Sequence, residues 1–115
     1  MFNMEILRSV TNGCVVLQLK GRIDLYNVHM IRDAIGSVIA EGGNKLIMNL
    51  ENVTYIDSSG IGAFIGEQRK LKISGGGMKL VNVQGPVAQV FKLSRLYAFF
   101  DIHESEEEAL AAFGE

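Results

Sequence analysis

Past Gly13 the chain alternates between two hydrophobic periods, and this alternation limits the folds open to it. Side chains two apart share a strand face, whereas those three or four apart share a helix face. Val15, Leu17 and Leu19 follow the strand period from Cys14 to Lys20. Val28, Ile31, Ile35, Val38 and Ile39 follow the helix period between Asn27 and Ala40, and Gly42-Gly43 ends that helix. Lys45 to Leu50 is short and mostly apolar, as a strand buried on both faces should be. A β-favouring stretch from Val53 then turns at Asp57-Ser58-Ser59 into a helix expected to reach about Ser74. Gly75-Gly76-Gly77 is a turn, and Met78 to Val83 is a further strand. Pro86 suits the first turn of a helix whose apolar face is Val87, Val90, Phe91 and the Leu93 to Leu96 segment. Phe99, Phe100 and Ile102 predict a short last strand. Ser105 and Glu108 have capping-box spacing before a final helix, Ala109 to Phe113.

One hairpin precedes the alternation. Phe2, Met4 and Ile6 alternate with polar neighbours, and Asn12-Gly13 is the strongest short signal for a tight hairpin turn. The expectation is an α/β fold with a mixed, mainly parallel sheet begun by an antiparallel hairpin and about four helices. Residues 1–115 are long enough for one domain with one core.

Parallel sheets gather their sites outside the carboxyl ends of their strands. Three loops are expected there: Gly21–Tyr26, Asn52–Ser59 and Asn82–Gly85. Asp24 and Ser58 are then spatial neighbours although more than thirty positions separate them. Asp24 and Asp57 are each expected to cap the helix that follows. Ser58 falls at a helix start, where unpaired N–H groups and partial positive charge favour a phosphate. Ser59, the competing hydroxyl, is expected inside the helix start. The patch of Asp24, Tyr55, Asp57, Ser58, Ser59, Gly60, Ile61 and Gly62 combines an acidic rim, an aromatic, an apolar side chain and low relief. That composition suits docking of another protein.

Other chemistries lack their residues. No G-x-x-x-x-G-K-[ST] phosphate loop is present, Gly75-Gly76-Gly77 precedes a strand, and Ser58 lacks the G-x-S-x-G elbow. The two histidines, His29 and His103, are not placed beside Ser58 by any pattern. Neither a catalytic triad nor a metal set is expected, and no cofactor is implied. The net charge is −2 and no basic cluster is evident, so direct nucleic-acid binding is not expected. Cys14 is the single cysteine, which excludes an intrachain disulfide and fits a reducing compartment. No apolar run approaches membrane-spanning length, and Met1 to Ile6 carries no signal-peptide pattern. A cytoplasmic monomer that is not an enzyme is the expectation.

The hairpin, G-R-I-D at 21–24, L-E-N-V-T-Y-I-D-S-S-G-I-G at 50–62, M-K-L-V-N-V at 78–83 and P-V-A-Q-V-F-K-L-S-R-L at 86–96 together resemble the STAS domain. The similarity is to stand-alone bacterial anti-sigma-factor antagonists, over essentially the whole length. It implies the STAS fold, with the serine after the motif aspartate, Ser58, as phosphorylation site and Asp24 close to it at the partner contact. It further implies an anti-sigma factor with GHKL-type serine kinase activity as partner. Binding frees the sigma factor, phosphorylation switches binding off, and a serine phosphatase restores it. The alternative is an accessory STAS subunit of a membrane transporter with no phospho-switch. A nucleotide-binding domain is a third reading, which the missing phosphate loop disfavours.

Overall fold

A computed structural model describes residues 4–114. Phe2 and Asn3 of the expected first strand lie outside the described residues. Met4–Thr11 (β1) and Cys14–Ile23 (β2) form the antiparallel hairpin. Asn12 and Gly13 take φ of 50° and 78° in its turn, the left-handed pair that a two-residue hairpin needs. Val28–Ala40 (α1), Lys45–Ile56 (β3), Ser58–Ile73 (α2), Gly77–Val81 (β4), Gly85–Leu93 (α3), Asp101–His103 (β5) and Glu106–Phe113 (α4) follow. The five strands lie in the order β1-β2-β3-β4-β5, with every pair after the hairpin parallel.

The three crossover helices cover one face of the sheet. Ile31, Ile35 and Val38 of α1, Phe64 and Leu71 of α2, and Val87 and Phe91 of α3 close over Leu17, Leu19, Met48 and Leu80. Phe91 stacks on Phe64 at 6.4 Å between ring centroids and meets Phe100 edge-on at 5.1 Å. Fully burying one such side chain is worth roughly 1.5–3 kcal/mol. The opposite face carries a smaller cluster of Cys14, Val16, Ile47 and Val81, covered by Ala109, Leu110 and Phe113 of α4.

Several boundaries differ from expectation. β2 continues past Lys20 to Ile23, and β3 runs unbroken to Ile56, because the two strands stay paired up to Ile23 and Ile56. The loops expected at Gly21–Tyr26 and Asn52–Ser59 are therefore much shorter. β4 stops at Val81, where Asn82 turns to φ 58°. Leu93 lies 80% exposed instead of on the apolar face of α3, because two residues past the buried Phe91 the helix turns its side chain to the opposite side. Phe99 belongs to a 3-10 turn, Tyr97–Phe99, and not to the last strand. The capping box is half formed: Ser105 accepts from the Glu108 N–H, but the Glu108 carboxylate accepts from the Glu104 N–H instead of that of Ser105.

Candidate functional site

The adjacent ends of β2 and β3 build the site. The Asp57 N–H donates to the Ile23 carbonyl at 3.2 Å, which joins the loop after β2 to the start of α2. Asp57 is the N-cap of α2 and is extended at φ −107°, ψ −176°. Its carboxylate accepts from the N–H groups of Ser59 at 3.0 Å and Gly60 at 3.3 Å, and from the Ser59 hydroxyl. Its second oxygen accepts from the Leu25 N–H at 3.2 Å. Partial burial pushes this carboxyl up, but the Ser59 hydroxyl and the amides of Gly60, Ser59 and Leu25 outweigh it and hold its pKa below the ordinary carboxylate value.

Across the bridge, Asp24 holds the loop and does not cap α1. Its carboxylate accepts from the N–H groups of Tyr26 at 3.0 Å and Asn27 at 3.2 Å. The buried Asn27 returns the bond, accepting from the Asp24 N–H at 3.0 Å and donating to the Arg22 carbonyl at 2.8 Å. Asn27 occupies the N-cap of α1 without a side-chain cap bond. The expected capping role of Asp24 is thus replaced by a turn lock three residues earlier. Because Leu25 and Asp57 are hydrogen-bonded, Asp24 and Ser58 flank one bridge, as topology predicts.

The two serines differ in what holds them. The Ser59 hydroxyl is committed to Asp57. Ser58 is exposed, and among the described residues its hydroxyl makes no hydrogen bond to any side chain or backbone group. A group at this position can take substitution without breaking a native bond, next to the positive end of a 16-residue helix.

Two members of the expected patch lie beneath it. Ile61 is 2% exposed and packs in the core, so it cannot be the patch's apolar surface. Gly60 is buried, and a Cβ there would stand 2.7 Å from side-chain atoms of Ile23 and Ile56, so its hydrogen lets α2 start close against the strand ends. Gly62 is exposed with open space beside it. The apolar surface comes instead from Leu25 at 68% and Tyr26 at 82% exposure, which the sequence reading did not single out. Their signal was available: both precede the first apolar position of α1 and match no core stripe. Tyr55 is partly exposed, with the Arg22 guanidinium 4.1 Å above its ring, a cation–π pair that fixes the rim.

The patch is open. A groove of about 460 Å³ lies along the β4–β5 end of the same edge, lined by Asn82, Gln84 and His103 but not by Asp24, Asp57 or Ser58. Among the described residues no cluster of three or more His, Cys, Asp or Glu could hold a metal ion, and no helix is long and apolar enough to cross a membrane.

The model of the STAS domain matches residues 5–109. An anti-sigma F factor antagonist of Lysinibacillus sphaericus is 34% identical over 105 residues, which cover 90% of this chain and 89% of the relative. The solved anti-sigma factor antagonist SpoIIAA in its unphosphorylated form superposes with a TM-score of 0.77 at 33% identity, covering 92% of this chain and 93% of that one. The Bacillus cell fate determinant SpoIIAA in its phosphorylated form gives 0.70 at 32% identity, covering 94% and 98%. Near-complete coverage on both sides, the hairpin-led parallel sheet and the D-S-S-G helix start all agree: the chain belongs to the STAS domain family, beside relatives named as anti-sigma factor antagonists.

Proposed function

We propose that the protein is an anti-sigma-factor antagonist switched by phosphorylation of Ser58. The unphosphorylated form binds an anti-sigma factor that is also a GHKL-type serine kinase, and so frees the sigma factor. Phosphate on Ser58 ends that binding, and a serine phosphatase restores it. The observation that carries this reading is the difference between the two hydroxyls: Ser59 is bonded to Asp57, whereas Ser58 is exposed with no partner among the described residues. The names of the relatives support the antagonist role, and the two solved forms of SpoIIAA support a phospho-switch by analogy.

The physics favours a local switch. A phosphate adds roughly −1.5 to −2 charge. It would join Asp24 and Asp57 on a patch whose exposed apolar side chains are Leu25 and Tyr26. The start of α2 stabilises that charge within the protein. A partner surface matched to a neutral hydroxyl would meet an uncompensated dianion, at a cost of several kcal/mol. No rearrangement of the fold is required.

The test is phosphate transfer from ATP by a purified GHKL-type anti-sigma kinase, with binding measured in parallel. Ser58→Ala should abolish incorporation and keep binding, Ser59→Ala should keep incorporation, and Ser58→Asp should weaken binding by at least about tenfold. Undiminished labelling of the Ser58→Ala protein would overturn the assignment.

A further inference from the structure

A second surface lies at the other end of α2. From Gln68 to Phe100 the chain carries six Lys or Arg residues and no Asp or Glu. The cations are spaced, not consecutive, so a search for basic runs passes over them. Lys70 pairs with the buried Glu67 at 2.9 Å and Lys79 pairs with Asp101. Arg69 and Lys72, the two that lie at this end of α2 outside those pairs, form no ion pair among the described residues.

Two grooves meet on this surface, of about 390 Å³ and about 180 Å³. Gln68, Lys72 and Phe99 line both, so Phe99 is the ridge between them. The ridge is 63% exposed yet held in place, because Gln68 Nε2 donates to the Phe99 carbonyl at 2.7 Å. The smaller groove adds Ile65 and Arg69. Gly77 and Asp101, the first residues of β4 and β5, line the larger one. The surface therefore sits at the amino ends of the parallel strands, at the opposite end of a helix about 24 Å long from Ser58.

A favourable helix-dipole position accounts for Lys70 and Lys72 in the last turn of α2. It accounts for neither Arg69, which stands before that last turn, nor a fixed, exposed Phe99 between two concavities. An exposed aromatic ridge beside an arginine is the composition of a protein-docking site, and the unpaired Lys72 adds positive charge to its rim. The net positive rim selects an acidic occupant. Concave walls accept a protruding side chain, which a flat bilayer does not supply, and the half-exposed Asp101 carboxylate on the larger groove opposes a polyphosphate backbone.

We infer that the C-terminal half of α2 and the Phe99 ridge form a second docking surface, for an acidic peptide segment that seats an apolar side chain in the grooves. The surface is separate from the Ser58 patch, so both can be occupied at once, and the inference does not depend on the phospho-switch.

The test uses the full chain and a panel of labelled 12-residue peptides, rich in Glu and Asp with one central Leu, Ile, Phe or Tyr. Fluorescence anisotropy measures affinity, and amide-shift mapping places the site. At least one peptide should bind with a Kd below roughly 1 mM, with shifts centred on Arg69, Lys72 and Phe99. Lys72→Glu and Phe99→Ser should each weaken it at least about tenfold, with unchanged circular dichroism, and salt should weaken it too. Ser58→Asp should leave it unchanged. No binding by any peptide would overturn the inference. So would shifts centred on Ser58, preferential binding to phosphatidylserine vesicles or duplex DNA, or a concentration-dependent dimer that buries Phe99.

Discussion

The two ends of α2 solve the same problem by opposite means. A helix leaves N–H groups unpaired at its start and carbonyls unpaired at its end. At the start a side chain supplies the missing partner: the Asp57 carboxylate collects the Ser59 and Gly60 amides. At the end the backbone does so, with the N–H groups of Ser74, Gly75 and Gly76 donating to the carbonyls of Lys70, Lys72 and Leu71 at 3.0–3.1 Å. The consequence is functional. Capping by Asp57 ties down Ser59 and leaves Ser58 outward, while capping by the glycine turn leaves Lys72 with no carbonyl to cap and no ion pair among the described residues. Each end thus exposes groups that the fold does not consume.

The largest expected effect tests how tightly the first end is built. Gly60→Val places carbon where Ile23 and Ile56 already stand at 2.7 Å from a Cβ. Overpacking of this kind costs about 3 kcal/mol. Thermal unfolding should show a drop in Tm on the order of 10 °C. An unchanged Tm would mean that the strand ends and α2 separate easily.

Asp57→Ala comes next. Loss of an N-cap costs about 1–2 kcal/mol, measurable as a lower urea midpoint at pH 7. The same variant also removes the Leu25 bridge, so the Asp24 loop should gain amide exchange at Tyr26 and Asn27. The pH dependence has a definite sign. The Asp57 pKa is lower folded than unfolded, so its stabilisation is complete above the unfolded carboxyl value, near about 4, and is lost as pH falls through the folded value. Parent and variant should therefore converge in stability as the pH is lowered below about 4. A constant gap across that window would remove the ionised cap from the account.

Much of this was legible from residue types. Asn12-Gly13 announces the hairpin, the change of hydrophobic period announces the parallel sheet, and Asp57 before an apolar helix pattern announces its cap. The continuity of β3 was not legible: the stretch from Val53 favours a strand, but Asn52, Thr54 and Tyr55 are exposed, and pairing with β2 is what joins it to Lys45–Leu50. Ile61 read as surface because it stands within the motif, yet the helical turn after Ser58 points it into the core. Phe99 and Phe100 read as strand because aromatics favour sheets, whereas the positive φ at Arg95 sets up a 3-10 turn first. The inequality of Ser58 and Ser59 was anticipated as a position within the helix start. Its cause is a hydroxyl bonded to Asp57, a contact that residue types alone do not specify.

Gly62→Ala separates folding from docking at the first end. Gly62 is helical, exposed and free of neighbours that a Cβ would meet. Replacing glycine by alanine in a helix interior should stabilise the fold by about 0.5–1 kcal/mol. If the partner packs closely on this face, affinity for the anti-sigma factor should fall while Tm rises. A rise in both would place the partner contact on the Asp24 side of the bridge, with Leu25 and Tyr26.

The smallest stability effect probes the second end. Lys72 lies in the last turn of α2 and has no ion pair among the described residues. Its favourable position against the helix dipole is worth about 0.3–0.5 kcal/mol, screened further by salt. Lys72→Gln should therefore shift the urea midpoint barely beyond error, in contrast to Asp57→Ala at the other terminus. The backbone carbonyls that Lys72 could have capped are already satisfied by the glycine turn, which is why the change is small. A loss as large as that for Asp57→Ala would show that the lysine serves the fold after all, and the asymmetry between the two ends would disappear.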